Sequence, residues 1–256
     1  MTQDVLFEVD GAIAIITLNR PQKLNAVTPE MADAIVAAVE QCNDSETIRC
    51  VILTGAGEKA FCAGSDIREL DTYETPWQFR NRPDYCDAIR ALLKPSIAAV
   101  NGYCFGGGLE TAMSCDIRIA SDNAQFAAPE IKLGWIGGGG MAMHLAHSAG
   151  MSNAALLIMT GDPVPAEKAL AWGLVSDVVP REGLLARARE IAQTIASRAP
   201  IAAETAKLNL KAAHTMPAEK AIEYERDLQT ICFATEDALE GRKAFKEKRP
   251  PVFRRR

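Results

Sequence analysis

Apolar positions follow two alternating periods through the first two thirds of the chain. Ala12 to Leu18 is a β-branched run that reads as a strand. Thr28 then offers an N-cap and Pro29 a first helical residue. After them Met31, Ala34, Ile35, Ala38, Val39 and Cys42 recur at helical spacing. Arg49 to Thr54 is another strand-like run, ended by Gly55. Ile97 to Val100 and Asp116 to Ala120 read the same way, with a helix-compatible piece from Leu109 to Ser114 between them. Strands separated by helical crossovers predict an α/β fold with parallel pairing. Asp71 to Ala88 is polar and aromatic and carries Pro76 and Pro83, so it is either a surface excursion or an irregular helix covering a site. From about Ile201 the pattern is helical only. Ala221, Tyr224, Leu228 and Ile231 share one face, and Arg249-Pro250-Pro251 stops the last helix.

One stretch raises the question of a membrane span. No charged residue lies between Lys132 and Asp162, but Gly137 to Gly140, His144, His147, Ser148 and Asn153 break it into two pieces shorter than a span requires. It reads as buried core. The start, Met1-Thr2-Gln3-Asp4, shows no basic region leading into an apolar one, so no secretory leader is expected. Composition narrows the picture further. The chain has 256 residues, 48% hydrophobic, with 28 Lys and Arg against 33 Asp and Glu, a net charge of −5. That excludes a disordered chain and argues against a dedicated nucleic-acid binder. Its 7 Cys have no CxxC spacing and do not cluster with the 3 His. Neither a disulfide framework nor a metal site is expected, and reduced thiols point to a cytoplasmic protein.

The chemistry concentrates at glycine-rich junctions. Gly55-Ala56-Gly57-Glu58-Lys59-Ala60 matches a dinucleotide fingerprint in letters, but no helical stripe follows it, so it reads as a tight turn. Asn101 to Glu110 runs from a strand through Gly106-Gly107-Gly108 into a helix. That arrangement lets backbone N–H groups approach a ligand oxygen. Glu110 falls in the first helical turn, where the macrodipole favours its anion. By itself it is equally a helix-start glutamate. Pro129 opens a second short helical turn around Glu130, whose small and apolar neighbours predict partial desolvation and a raised pKa. Two such carboxylates suit acid–base chemistry at carbon. Ala60 to Ile67 is another small-residue approach, either a helix entry capped by Ser65 or Asp66, or a source of a second amide for an oxyanion hole.

Taken in order, these segments resemble the enoyl-CoA hydratase/isomerase (crotonase) superfamily. They are Leu18 to Pro21 with Lys23 to Ala26, Ala60 to Ile67, Asn101 to Glu110, Cys115 to Ala120 and Phe126 to Gly134. Thr160 to Asp162, Ala169 to Val175 and Phe233 to Asp237 with Glu240-Gly241 and Phe245 to Arg249 continue the series. The resemblance implies a crotonase-like spiral of ββα units over residues 1–200. It also implies a C-terminal helical region, 201–256, that builds homotrimers, often paired into hexamers. It implies an acyl-CoA thioester substrate and no separate cofactor.

By the same resemblance the amides of Ser65 and Gly107 hold the thioester oxygen, and Ser65 in place of the commoner alanine is harmless because only its backbone is used. Glu110 orients and deprotonates water beside Gly138, while Glu130 delivers a proton to C2. Lys23, Leu24, Ala26, Ala63, Asp66 and Ile67 fall where the family holds the nucleotide end of CoA, and Phe245 and Lys248 reach it, often from an adjacent subunit. Both glutamates together favour a 2-enoyl-CoA hydratase, a lyase of fatty-acid or aromatic-acid breakdown. A Δ3-Δ2 isomerase, which needs only the carboxylate at Glu130, is the alternative. A CoA-binding relative without turnover is a third reading. The chain departs from the hydratase pattern at Gly137 to Gly140 and His144, where a proline and an arginine are usual. Trp135, Met141 and Met143 then suggest an altered acyl pocket, and His144 is either a structural histidine or an added acid or base.

Overall fold

The computed structural model describes residues 3–256; Met1 and Thr2, where the segment read for a leader begins, lie outside them. The first β-branched run forms the strand Ile13–Leu18, antiparallel to Val5–Asp10 and parallel to Cys50–Gly55. Parallel pairing continues through Ser96–Val100 and Ile117–Ser121 to Asp177–Val179, completing a six-stranded sheet. These strands read as unbroken apolar runs because both faces of the sheet are covered. Ala14, Ile16, Val51, Leu53, Ala98 and Val100 enter the main core. Ile13, Ile15, Cys50, Ile52, Ile97 and Ala99 face the other way, against the helix Leu184–Ala196.

A second sheet holds four short strands, Ala60–Cys62, Tyr103–Phe105, Gln125–Ala127 and Val164–Pro165, the last antiparallel. Three times in succession the chain gives a strand to the first sheet, a strand to the second, and then a helix. The middle turn is Ser96–Val100, Tyr103–Phe105 and the helix Gly107–Ser114. This is a ββα spiral, as expected. The crossings between sheets are tight. A Cβ on Gly55 would lie 2.3 Å from the carbonyl oxygen of Phe61, and one on Gly102 would lie 2.1 Å from that of Lys59. Gly55 therefore opens a turn into a strand, and no helix follows it.

The helix Pro29–Asp44 begins where the pattern placed it, with Thr28 Oγ1 accepting from the Met31 amide at 3.3 Å. The segment Asp71 to Ala88 contains the short helix Pro76–Arg80 and most of a second, Tyr85–Arg90. The charge-free stretch corrects its reading as buried core. It forms the helices Met141–Ala149 and Met151–Thr160, which bury Met141, Leu145, Ala154 and Leu157 but leave Met151, Leu156 and Met159 exposed. Glycines and small residues, not burial, account for its lack of charge near Gly137. Among the described residues no helix is long and apolar enough to cross a membrane.

The C-terminal helices are Pro200–Thr215, Ala218–Phe233 and Glu236–Glu247. Buried Lys207 ties the first to the core through Asp116 at 2.8 Å, and buried Lys94 meets Glu204 at 2.9 Å. Either ammonium without its partner would be strongly destabilising. On the second helix Leu228 is buried but Ile231 is exposed, so the shared apolar face is only partly covered. The last helix stops at Glu247, before the prolines, because Lys248 turns left-handed at φ 53°.

Candidate active site

Two glycine-rich loops meet at the end of the second sheet. A Cβ on Gly64 would fall 3.1 Å from the Gly107 amide nitrogen, so the loop carrying Ser65 lies directly against the start of the helix Gly107–Ser114. Val27 donates to the Gly64 carbonyl and accepts from the Asp66 amide, which holds Ser65 between them with its own N–H unpaired among the described residues. Gly107 is the first residue of its helix, so its N–H has no acceptor within the helix. Both amides belong to residues lining one cavity of about 770 Å³, a size suited to a small-molecule ligand.

Glu110 and Glu130 line the same cavity. Glu110 is 5% exposed, and its Oε1 accepts from the amides of Gly139 at 2.7 Å and Met141 at 3.2 Å. Burial pushes its pKa up to about 7, helped by the nearby Glu130 carboxylate and opposed by those two amides. The expected macrodipole stabilisation of its anion is thus overridden by desolvation. Glu130 projects from the 3-10 turn Pro129–Leu133 toward Gly106, where a Cβ would lie 2.8 Å from its Oε1. Burial raises its pKa as well, and its Oε2 is buried with no hydrogen-bond partner. Two desolvated carboxylates beside unpaired amides can move protons next to an oxygen that gains negative charge.

The other expected residues divide. Gly138 lines the cavity, and a Cβ there would meet nothing within 4 Å. Lys23, Ala26, Ala63, Asp66 and Ile67 surround an adjoining groove of about 280 Å³. Leu24 does not line it; its carbonyl accepts from the Ala63 amide and shapes the loop. Asp66 is ion-paired to Arg20 at 2.8 Å, which holds its carboxyl below the usual range. Phe245 and Lys248 line neither space, and Phe245 is 86% exposed. Trp135 lines the cavity, whereas Met141 is buried beside Gly137 and Met143 is exposed, and neither methionine lines it. His144 is also absent from the cavity wall. Burial and Arg90 push its pKa down to about 4, which leaves a neutral packed histidine.

Sequence reasoning missed three contributors. Tyr85 places its hydroxyl 3.1 Å from Ser65 Oγ at the cavity wall. Arg90 donates to the Gly139 carbonyl at 2.5 Å and to Ser114 Oγ at 3.3 Å, which fixes the glycine loop over Glu110. Arg68 joins the wall of the adjoining groove. Tyr85 stands in the segment suspected of covering a site, and that suspicion was the one signal available.

A spiral of ββα turns, two loop amides and a pair of buried carboxylates around one chamber is a crotonase arrangement. A family model for enoyl-CoA hydratase/isomerase matches residues 8–256. The chain is 42% identical over 252 residues to a short-chain-enoyl-CoA hydratase of Clostridium acetobutylicum, covering 96% of this chain and 95% of that one. It is 38% identical to an (E)-benzylidenesuccinyl-CoA hydratase of Thauera aromatica, covering 98% of each. The crystal structure of an enoyl-CoA hydratase from Bacillus anthracis superposes with a TM-score of 0.95 at 35% identity, over 99% of this chain and 100% of that one. The chain belongs to the enoyl-CoA hydratase/isomerase family and has the crotonase fold.

Proposed function

We propose that this chain is an enoyl-CoA hydratase that adds water across the C2–C3 double bond of a 2-enoyl-CoA thioester. One observation carries the reading: two buried carboxylates with raised pKa values share the chamber into which the Ser65 and Gly107 amides open. Addition of water at C3 drives negative charge onto the thioester oxygen. Two fixed amides aimed there stabilise that charge, each contributing roughly 3–4 kcal/mol by analogy with single-donor deletions elsewhere. Glu110, ionised and held by Gly139 and Met141, takes a proton from the attacking water beside Gly138. Glu130, whose carboxyl burial pushes up in pKa, delivers a proton to C2. Lys23 and Arg68 supply positive charge at the groove, where the CoA phosphates sit. Exposed Ile231, Phe233 and Phe245 suit the C-terminal region, 201–256, to homotrimer formation, and a neighbouring subunit would then bring Phe245 and Lys248 toward CoA.

The test is a panel of enoyl-CoA esters read by mass spectrometry for water addition, double-bond shift or hydrolysis. Glu110→Gln and Glu130→Gln should each abolish hydration with the fold intact. Loss of activity in Glu130→Gln alone, with a double-bond shift as the product, assigns an isomerase instead. The expected profile of kcat/KM falls as pH drops through about 7, since Glu110 must be ionised.

A further inference from the structure

Ser65, which carries the first loop amide, has a side-chain partner. Its Oγ lies 3.1 Å from Tyr85 Oη. Tyr85 is the first residue of the helix Tyr85–Arg90, fixed by Asp84, whose Oδ1 accepts from the Cys86 amide at 2.8 Å. The ring is 8% exposed, and its hydroxyl stands over Gly107: a Cβ on that glycine would fall 2.1 Å from Oη. The phenol therefore reaches the point where the loops of Ser65 and Gly107 converge, on the wall of the reaction chamber. A tyrosine hydroxyl has one proton to give and can accept as well. If Ser65 donates to Tyr85, the tyrosine proton is left to point into the chamber. Burial raises the Tyr85 pKa well above its ordinary value, so the phenol stays a neutral donor.

We propose that Tyr85 is a catalytic residue whose hydroxyl donates a third hydrogen bond to the thioester oxygen, beside the amides of Ser65 and Gly107, and that Ser65 Oγ is the positioning residue that directs that proton. The inference rests on the hydratase reading for its substrate. Its chemistry is that of the amides: a donor aimed at an oxygen that becomes an oxyanion strengthens as the charge develops. A tyrosine serving only as packing would be replaced without loss by phenylalanine, which fills the same space. Ser65 and Tyr85 thus act as one unit, and their substitutions should not add.

The experiment compares wild type with Tyr85→Phe, Ser65→Ala and the double variant, using crotonyl-CoA for kinetics. The absorption band of bound 4-dimethylaminocinnamoyl-CoA, which moves red as its carbonyl is polarised, gives a readout independent of turnover. Tyr85→Phe should lower kcat by about 10- to 100-fold, with KM changed by less than about threefold, and should shrink the red shift. Ser65→Ala should lower kcat by about 3- to 10-fold, and the double variant should be no worse than Tyr85→Phe. Wild-type kcat and an undiminished red shift in Tyr85→Phe would overturn the proposal. Should that variant fail to fold, Ser65→Ala decides, because a wild-type kcat and red shift there overturn the pairing. A wild type that hydrates none of the panel defeats the hydratase reading alone, since the red shift still reports whether Tyr85 touches the thioester oxygen.

Discussion

The two glycine runs of the chain look alike in letters and differ in what makes them glycine. In Gly106 to Gly108 the first two glycines leave room for the Glu130 carboxyl and the Tyr85 hydroxyl, and the third is set by the packed interior. A Cβ on Gly108 would lie 2.2 Å from the backbone carbonyl oxygen of Cys62, which belongs to a strand of the second sheet and cannot retreat. In Gly137 to Gly140 the near neighbours are side chains, Met141 and Glu110 at Gly137, Glu110 and Cys86 at Gly139, His144 at Gly140, and at Gly138 there are none. Gly108 makes the first run a joint in the scaffold. The second is a flap over Glu110 that takes its order from Arg90 on the outside and the glutamate on the inside. Four successive glycines suggest a loose loop from sequence, and the structure supplies the two polar anchors that hold it.

The comparison can be broken most severely at the scaffold. Gly108→Ala should cost on the order of 3 kcal/mol or more through overpacking against fixed backbone, and thermal denaturation should show a fall in Tm of many degrees or no folded protein. A Gly108→Ala variant with the wild-type Tm would mean the two runs are constrained alike. Next comes the flap. Arg90→Gln should lower kcat roughly tenfold at neutral pH, as the Gly139 amide loses its fixed aim. That amide favours the ionised Glu110. Its loss raises the glutamate pKa, so the acidic limb of the rate profile should move to higher pH; an unmoved limb would confine Arg90 to packing. The smallest effect is reserved for Gly138→Ala. Its methyl enters open space, so chemical denaturation should find stability within about 0.5 kcal/mol of wild type, while kcat/KM for crotonyl-CoA falls because the methyl occupies the chamber.

The fold was legible wherever one period held. Met31 to Cys42 lies on a single buried stripe, and the strand runs at Val51 and Ile97 are apolar on both faces because the sheet is covered on both. The spiral repeat was not legible as repetition, since its three turns share geometry and no residues. Within the site, Glu110 and Glu130 stood out by their small-residue settings, and the direction of the Glu130 pKa followed from those settings. Tyr85 and Arg90 did not stand out. Both sit on the short helix Tyr85–Arg90, at the end of a polar segment without periodicity, and they matter only because the loops at Gly107 and Gly139 meet them. Length and charge-free character misled at Met151 and Met159, where apolar side chains are left on the surface of the single chain.

The cysteines hold a practical consequence. Six of the seven are buried, and in Cys42, Cys50, Cys62 and Cys115 burial pushes the thiol up to about 12. Thiol reagents act on the thiolate and need access to it, so these four are shielded twice over while the protein is folded. In the single chain Cys232, on the helix Ala218–Phe233, is the one cysteine that is not buried. A maleimide reagent should therefore modify the folded single chain at Cys232 alone, and burial of Cys232 between subunits should slow that reaction.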